Sequence, residues 1–329
     1  MNDLTLGPQP APPRSHRHSA PAGQDGLYST FSREEWSQLG KDRISLSPEE
    51  LEALRSTAEP ASPTDIEEIF GPLCRLIRLH VEASHSLSAR IAGSLLRKAA
   101  APKPYIIGIA GSVAVGKSTF ARLLQALLAR HSNAWRVDLV ATDGFLFPTA
   151  TLEARGLMKR KGFPESYDLR GMVRFLSEMK AGASELEIPV YSHEAYDVVP
   201  GSFQKIRQPD ILIFEGLNVL QTARDARSTA SDFFDFSVYL DAEPSDIARW
   251  YKDRFLLLQR SVFQRPTSYF HHYKDLSPKE AARVAAEIWQ SINLPNLTRN
   301  ILPTRDRARV ILHKDAAHRI VEVRLRQGP

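Results

Sequence analysis

Between an apolar run at residues 105–110 and a helical stretch at 119–128 stand Gly111, Ser112, Val113, Ala114, Val115, Gly116, Lys117 and Ser118. A glycine, four unconstrained residues and Gly-Lys-Ser, set between a strand and a helix, form a phosphate-binding loop. Two glycines permit backbone torsions and close approaches that a Cβ would block, so successive N–H groups can converge on one anion. Lys117 can then reach the β- and γ-phosphates of a nucleotide, Ser118 can offer its hydroxyl to Mg²⁺, and the helix start adds its dipole, with Thr119 in the first turn. The bland alternative is a Gly-rich turn before an ordinary helix. The flanking strand and helix favour the phosphate loop, and with it an α/β fold.

The 329 residues are 43% hydrophobic and 25% charged, enough for one large α/β domain with an appendage or for two small domains. The start of the chain has no basic segment followed by an apolar stretch, and no apolar run approaches membrane-spanning length. A soluble, cytoplasmic protein without a membrane partner is expected. The single cysteine, Cys74, stands among Leu73, Leu76 and Ile77, so a buried core thiol is expected rather than a disulfide. Residues 299–326 carry eight Lys/Arg against three Asp/Glu, which accounts for the whole formal charge of +5. Without interleaved aromatic residues, this bias points to an anionic ligand or a solvated strand face, not to nucleic acid.

Residues 1–26, with proline at 8, 10, 12, 13 and 21, read as a disordered tail. Helical signals dominate the next segment, 27–101, which is expected to form an N-terminal subdomain. Ser47, Pro48, Glu49 and Glu50 give a cap and an acidic first turn, 64–68 repeats the pattern from Thr64, and Gly71-Pro72 should break or kink that second helix. After a linker at 99–104, the region 102–329 alternates strand-like runs (105–110, 137–141, 188–191, 211–214, 236–240) with helical patterns (118–130, 170–181, 244–260, 277–291). Near-continuous apolar strands separated by helices predict a mainly parallel sheet with helices on both faces. At the end, 307–313 and 319–326 predict a β-hairpin in which Val321, Val323 and Leu325 share one face.

In such a sheet ligands gather at the carboxyl ends of the strands. Asp143-Gly and Glu215-Gly each finish an apolar run there. A phosphoryl acceptor needs a carboxylate to orient its hydroxyl, and a metal needs oxygen partners. The residues leave open which carboxylate does which. Residues 156–168, with Lys159, Arg160 and Lys161 in a row, read either as a mobile anion-binding lid or as a solvated charge run. Tyr191, His193 and Tyr196 cluster after a strand. Trp250, Tyr251, Arg254 and Phe255 form an aromatic stripe of core type, within which Arg254 calls for an anionic partner.

The phosphate loop, together with 142–146 (Thr-Asp-Gly-Phe-Leu), 161–168 (Lys-Gly-Phe-Pro-Glu-Ser-Tyr-Asp), 189–193 (Pro-Val-Tyr-Ser-His), 211–221 and 300–305, resembles the bacterial type I pantothenate kinases of the P-loop kinase superfamily. The similarity runs from about residue 28 to 326. The resemblance implies ATP- and Mg²⁺-dependent phosphorylation of pantothenate, the first step towards coenzyme A, in a homodimer inhibited by coenzyme A. It implies Lys117 and Ser118 as phosphate and metal ligands, Asp143 as base, and Glu215 on the metal side. Tyr191, His193, Tyr196, Tyr251, Arg254 and Asn293 would line the pantothenate pocket, with Arg254 also steadying the transferring group. Lys314 and His318 would flank the nucleotide base. Arg122, Lys161 and His193, with an aromatic pocket of Phe255, Phe263, Phe270 and Tyr273, would hold coenzyme A. Leu258 departs from the phenylalanine of the best-known member. A uridine-kinase-like or phosphoribulokinase-like enzyme is the alternative within the superfamily. A GTPase is disfavoured because no Asn-Lys-x-Asp or Thr-Lys-x-Asp sequence occurs.

Overall fold

The computed structural model describes residues 26–40, 45–54, 62–97, 103–130, 135–222 and 228–328. The tail expected at 1–26 lies outside these except for Gly26, as does most of the linker at 99–104. Seven strands form the central sheet: β1 (Tyr28–Ser32), β2 (Tyr105–Gly111), β3 (Val137–Ala141), β6 (Ile211–Glu215), β7 (Phe236–Ala242), β8 (Val310–Lys314) and β9 (Ile320–Arg326). Their spatial order is β1-β9-β8-β7-β2-β6-β3. The five strands from β3 to β8 run parallel, and β9 and β1 are added antiparallel at one edge. Every residue of β2, β6 and β7 is buried, which is why these strands appear as unbroken apolar runs.

Several expectations are corrected. The run at 188–191 belongs to β4 (Leu186–Ser192), which pairs antiparallel with β5 (Asp197–Ile206) in a separate two-stranded ribbon. Its partner lies just beyond a tight turn, so pairing is local and no crossover helix is needed. Residues 28–32 form the edge strand β1, held by register with β9 and by Tyr28, whose hydroxyl donates to the Ala308 carbonyl at 2.6 Å. Ser32 ends that strand and caps the helix Arg33–Ser37 reciprocally with Glu35. The second cap falls on Ser62, not Thr64, with Pro63 in the first turn and Asp65 completing the box. Gly71-Pro72 does not end its helix. A π-turn, Ile66–Phe70, precedes the helix Gly71–Arg90, and the wider turn accommodates the missing proline N–H. In the C-terminal hairpin a register shift opposite His313 and Lys314 expels Val321, so Ile320 and Val323 are the inward pair.

The N-terminal segment and the sheet share one hydrophobic core. Trp36 is 1% exposed and its indole N–H donates to the Ile69 carbonyl at 3.2 Å. Complete burial of a large apolar side chain contributes roughly 1.5–3 kcal/mol. Phe70 meets Phe120 at 4.9 Å between ring centroids, fixing the long helix against the one that follows the phosphate loop. Cys74 is the expected core thiol: burial pushes it up to about 12, leaving it protonated.

Candidate active site

The loop 111–116 leaves the carboxyl end of β2 and turns into the helix Lys117–Ala129. Gly111 has φ +147°, and a Cβ there would stand 2.7 Å from the Leu240 carbonyl. Ala114 and Gly116 are left-handed as well, at φ 61° and 97°. This alternation of backbone hands is what turns successive N–H groups into one concavity. Lys117, buried, donates to the Ser112 carbonyl at 2.7 Å, folded back over the cradle. The Ser112 hydroxyl is buried without a partner among the described residues.

Strands β6 and β3 deliver the two carboxylates beside this loop. Ser118 donates to Glu215 at 2.8 Å. Burial pushes the Glu215 carboxyl above its usual range, against Lys117 and the Ser118 hydrogen bond, while Asp143 pushes the same way as burial. A Cβ on the following Gly216 would lie 1.9 Å from the Thr142 hydroxyl oxygen, so a larger residue there would displace Thr142. That contact sets the Glu215 strand end directly against the turn Thr142–Phe145, which carries Asp143. Asp143 is part-exposed, with His193 Nε2 at 3.9 Å from Oδ2. Desolvation in the cleft lowers the proton affinity of His193, Asp143 raises it and Arg254 lowers it, although much of the ring remains open to water. The Asp143–His193 contact is therefore a carboxylate beside a neutral imidazole at neutral pH.

From His193 the cleft continues over aromatic walls. Tyr191 stands 5.3 Å from His193 and 6.5 Å from Tyr196, and Tyr196 packs on Phe270 at 4.8 Å. Burial holds the Tyr251 phenol protonated, against the opposing influence of Asn293 and of the Arg254 charge. Arg254 is half-buried, and it has no hydrogen-bond or ion-pair partner among the described residues. A half-desolvated guanidinium of this kind requires an anion.

The segment 156–168 is neither an open lid nor a solvated run. Lys159 and Arg160 face solvent, but Lys161 is buried, with its ammonium 4.0 Å from the Tyr196 ring centroid. It donates to the Thr149 hydroxyl at 3.2 Å and to the Tyr196 carbonyl. Burial lowers its pKa, opposed by Asp197 and Asp143. The Gly162 carbonyl is gripped by Asn218 at 2.8 Å and Asn296 at 2.9 Å. Phe255, Phe263, Phe270 and Tyr273 do come together, with neighbouring centroids 5.2–5.7 Å apart, and Leu258 packs against them. Arg122 donates to the Leu54 carbonyl at 3.1 Å and to Thr119 at 3.4 Å. Lys314 is buried against the phosphate loop, donating to the Val115 carbonyl at 2.8 Å.

Among the described residues no group of three or more His, Cys, Asp or Glu could ligate a metal by itself. Ser118 and Glu215 supply two oxygen donors beside the phosphate cradle, a set that fits Mg²⁺, which keeps several waters and takes the rest of its oxygens from substrate phosphates.

Residues 106–252 match the Phosphoribulokinase / Uridine kinase family model. A pantothenate kinase of Rhodococcus opacus (strain B4) is 52% identical over 310 residues, 94% of this chain and 99% of the relative. One of Clavibacter sepedonicus is 50% identical over 317 residues, 96% of this chain and 97% of the relative. The chain belongs to the pantothenate kinase family. A D-glycerate 3-kinase from Cryptococcus neoformans shares the fold alone, at 14% identity and a TM-score of 0.51 over 76% of this chain and 98% of that one.

Two features of this family member were invisible in its sequence. Trp250, read as core, stacks on His318 with centroids 3.9 Å apart, and its indole donates to the Ala316 carbonyl at 3.2 Å. The stacked pair is held by the β8–β9 turn. Tyr167, bridged to Leu146 at the exit of the Asp143 turn, buries a hydroxyl that has no partner among the described residues, as does Thr142, the chain neighbour of Asp143. Only tertiary contacts bring Tyr167 there.

Proposed function

We propose that the protein transfers the γ-phosphoryl group of ATP to the terminal hydroxyl of pantothenate, giving 4′-phosphopantothenate for coenzyme A synthesis. The observation that carries this reading is that the phosphate cradle, two carboxylates and the unpaired Arg254 open on one aromatic cleft. Near-full-length similarity to pantothenate kinases supports the choice of acceptor.

The loop at 111–118 holds the nucleotide phosphates, and Lys117 exchanges the Ser112 carbonyl for a phosphate oxygen. The base packs by the Trp250–His318 stack, with Lys314 behind it. Ser118 and Glu215 would hold Mg²⁺, which would supply neutralising charge to the nucleotide phosphates. Tyr191, Tyr196, Tyr251 and Asn293 position the acceptor, whose hydroxyl gives its proton to Asp143 as it attacks in line. His193 holds the Asp143 carboxylate from the solvent side. Arg254 and Lys117 face charge developing on the equatorial oxygens. Incubation with ATP and pantothenate, followed by mass spectrometry, tests the reading: a monophosphorylated pantothenate supports it, and ADP without that product contradicts it.

The working unit is a cytoplasmic homodimer. Leu79 and Leu87 on the long N-terminal helix, and Ile91 and Leu95 on its π-helical continuation Ile91–Leu95, are exposed at spacings of four and eight residues, an apolar row suited to a second copy. No helix among the described residues is long and apolar enough to cross a membrane. Nucleic acid is not a partner in this reading, because Lys314 and His318 assign part of the C-terminal basic bias to the nucleotide.

Coenzyme A inhibits by competing with ATP, through Arg122, Lys161 and His193 and the aromatic pocket at Phe255, Phe263, Phe270 and Tyr273. Arg122→Ala is expected to weaken coenzyme A more than ATP. A charge-assisted hydrogen bond contributes about 1.5–3 kcal/mol. Because Arg122 also bonds Leu54 and Thr119, the lower end applies, a rise of about tenfold in inhibition constant with the KM for ATP within about twofold. ATP saturation curves at several coenzyme A concentrations measure both. Equal losses for the two ligands, or inhibition that leaves the apparent KM for ATP unchanged, contradict a shared site of this form.

A further inference from the structure

Tyr167 is 3% exposed, and its buried hydroxyl has no hydrogen-bond partner among the described residues. An unpaired buried hydroxyl destabilises a fold, and phenylalanine would fill the same space without that cost. The backbone around it is fixed on both sides. Tyr167 bridges antiparallel to Leu146, the Phe147 N–H donates to the Ser166 carbonyl at 2.9 Å, and the Asp168 N–H donates to the Phe145 carbonyl at 2.7 Å. This lacing ties 166–168 to the exit of the turn that carries Asp143. Asp168 then caps the helix Leu169–Ala181 by accepting from the Gly171 N–H at 2.9 Å.

The charges that act on this phenol are those of the site itself. Burial first, then Asp143, Tyr191, Glu215 and Tyr196, hold its pKa well above the usual tyrosine value, so the group is a proton-bearing donor at any working pH. Both carboxylates need hydrogens aimed at them, and this buried phenol is a donor on a segment laced to the exit of the Asp143 turn.

We propose that Tyr167 is a positioning residue for phosphoryl transfer: its hydroxyl donates to the Asp143 carboxylate when nucleotide and acceptor fill the cleft, fixing which oxygen meets the acceptor hydroxyl. This rests on the reading above in which Asp143 is the base. The arrangement has a paired consequence. Removing the hydroxyl leaves the free protein as stable or more stable, and slows turnover without loosening nucleotide.

The test compares full-length wild type, Tyr167→Phe, Asp143→Asn and the double variant, by melting temperature and by steady-state kinetics on whichever acceptor the wild type phosphorylates. Tyr167→Phe is expected to melt at or above the wild-type temperature, with kcat lowered about ten- to hundredfold and the KM for ATP within about twofold. The double variant is expected to be no slower than Asp143→Asn alone, since the phenol acts through that carboxylate. Unchanged kcat in Tyr167→Phe overturns the proposal. So does a melting temperature lowered by several degrees, which would mean that the hydroxyl is already bonded in the free protein. Losses that multiply in the double variant overturn the route through Asp143. A wild type that phosphorylates another acceptor but not pantothenate contradicts the proposed function and leaves this comparison intact.

Discussion

Lys117→Ala is expected to lower kcat by about a hundred- to a thousandfold while the protein stays folded. The ammonium is buried at the start of the helix and spans the cradle to the Ser112 carbonyl. In turnover it follows the γ-phosphoryl group, so most of its interaction is made in the transition state and kcat falls more than nucleotide affinity. Truncation also leaves the Ser112 carbonyl without that donor, so the melting temperature should be recorded alongside the rate. Near-normal turnover by folded Lys117→Ala protein would remove the phosphate loop from the chemistry altogether.

Asp143→Asn is expected to lower kcat by roughly a hundred- to ten-thousandfold with nucleotide binding retained, because the change keeps shape and removes the proton acceptor. The structure separates the two carboxylates. Glu215 is buried and bonded to Ser118, whereas Asp143 is part-exposed with His193 at 3.9 Å. Steady-state rates combined with a direct nucleotide-binding titration tell the roles apart. Collapsed nucleotide affinity with an unaffected residual rate would make Asp143 the metal-side ligand and Glu215 the base.

The parallel core of the fold was legible because β2, β6 and β7 are buried on both faces, and burial leaves an unbroken apolar run. The ribbon strand β4 carries a similar run, and its true partner β5 contains Pro200-Gly201 and is half-exposed, so composition gave it no strand signature. Strand β1 was hidden for a different reason. Its five residues, Tyr-Ser-Thr-Phe-Ser, acquire their order from the register with β9, some 290 residues away. Gly71-Pro72 reads as a break or kink because the rule concerns α-helical bonding, and the π-turn before it changes that bonding so that the helix continues.

The site divides along the same line. The phosphate loop and the two strand-end carboxylates announce themselves through local sequence, since each must sit at a strand terminus. Tyr167 and the Trp250–His318 stack depend on contacts between distant segments, and Tyr167 lies in a stretch whose adjacent charges drew attention to Lys159, Arg160 and Lys161 instead. Of those three only Lys161 turns inward. What could have flagged Tyr167 is the tight Phe-Pro-Glu-Ser-Tyr-Asp run ending in a helix cap, which has little reason to be apolar and aromatic on a solvated loop.

The central claim is that this cleft phosphorylates pantothenate at the expense of ATP. A coupled assay of ADP release, run with pantothenate, uridine and ribulose 5-phosphate side by side on the same purified protein, tests it most directly. The account predicts saturable, acceptor-dependent ADP release with pantothenate, and a kcat/KM for it at least about a hundredfold above the other two, since buried polar groups matched to one acceptor are left unpaired by the others. Faster turnover of uridine or ribulose 5-phosphate, or ADP release indifferent to pantothenate, would contradict it.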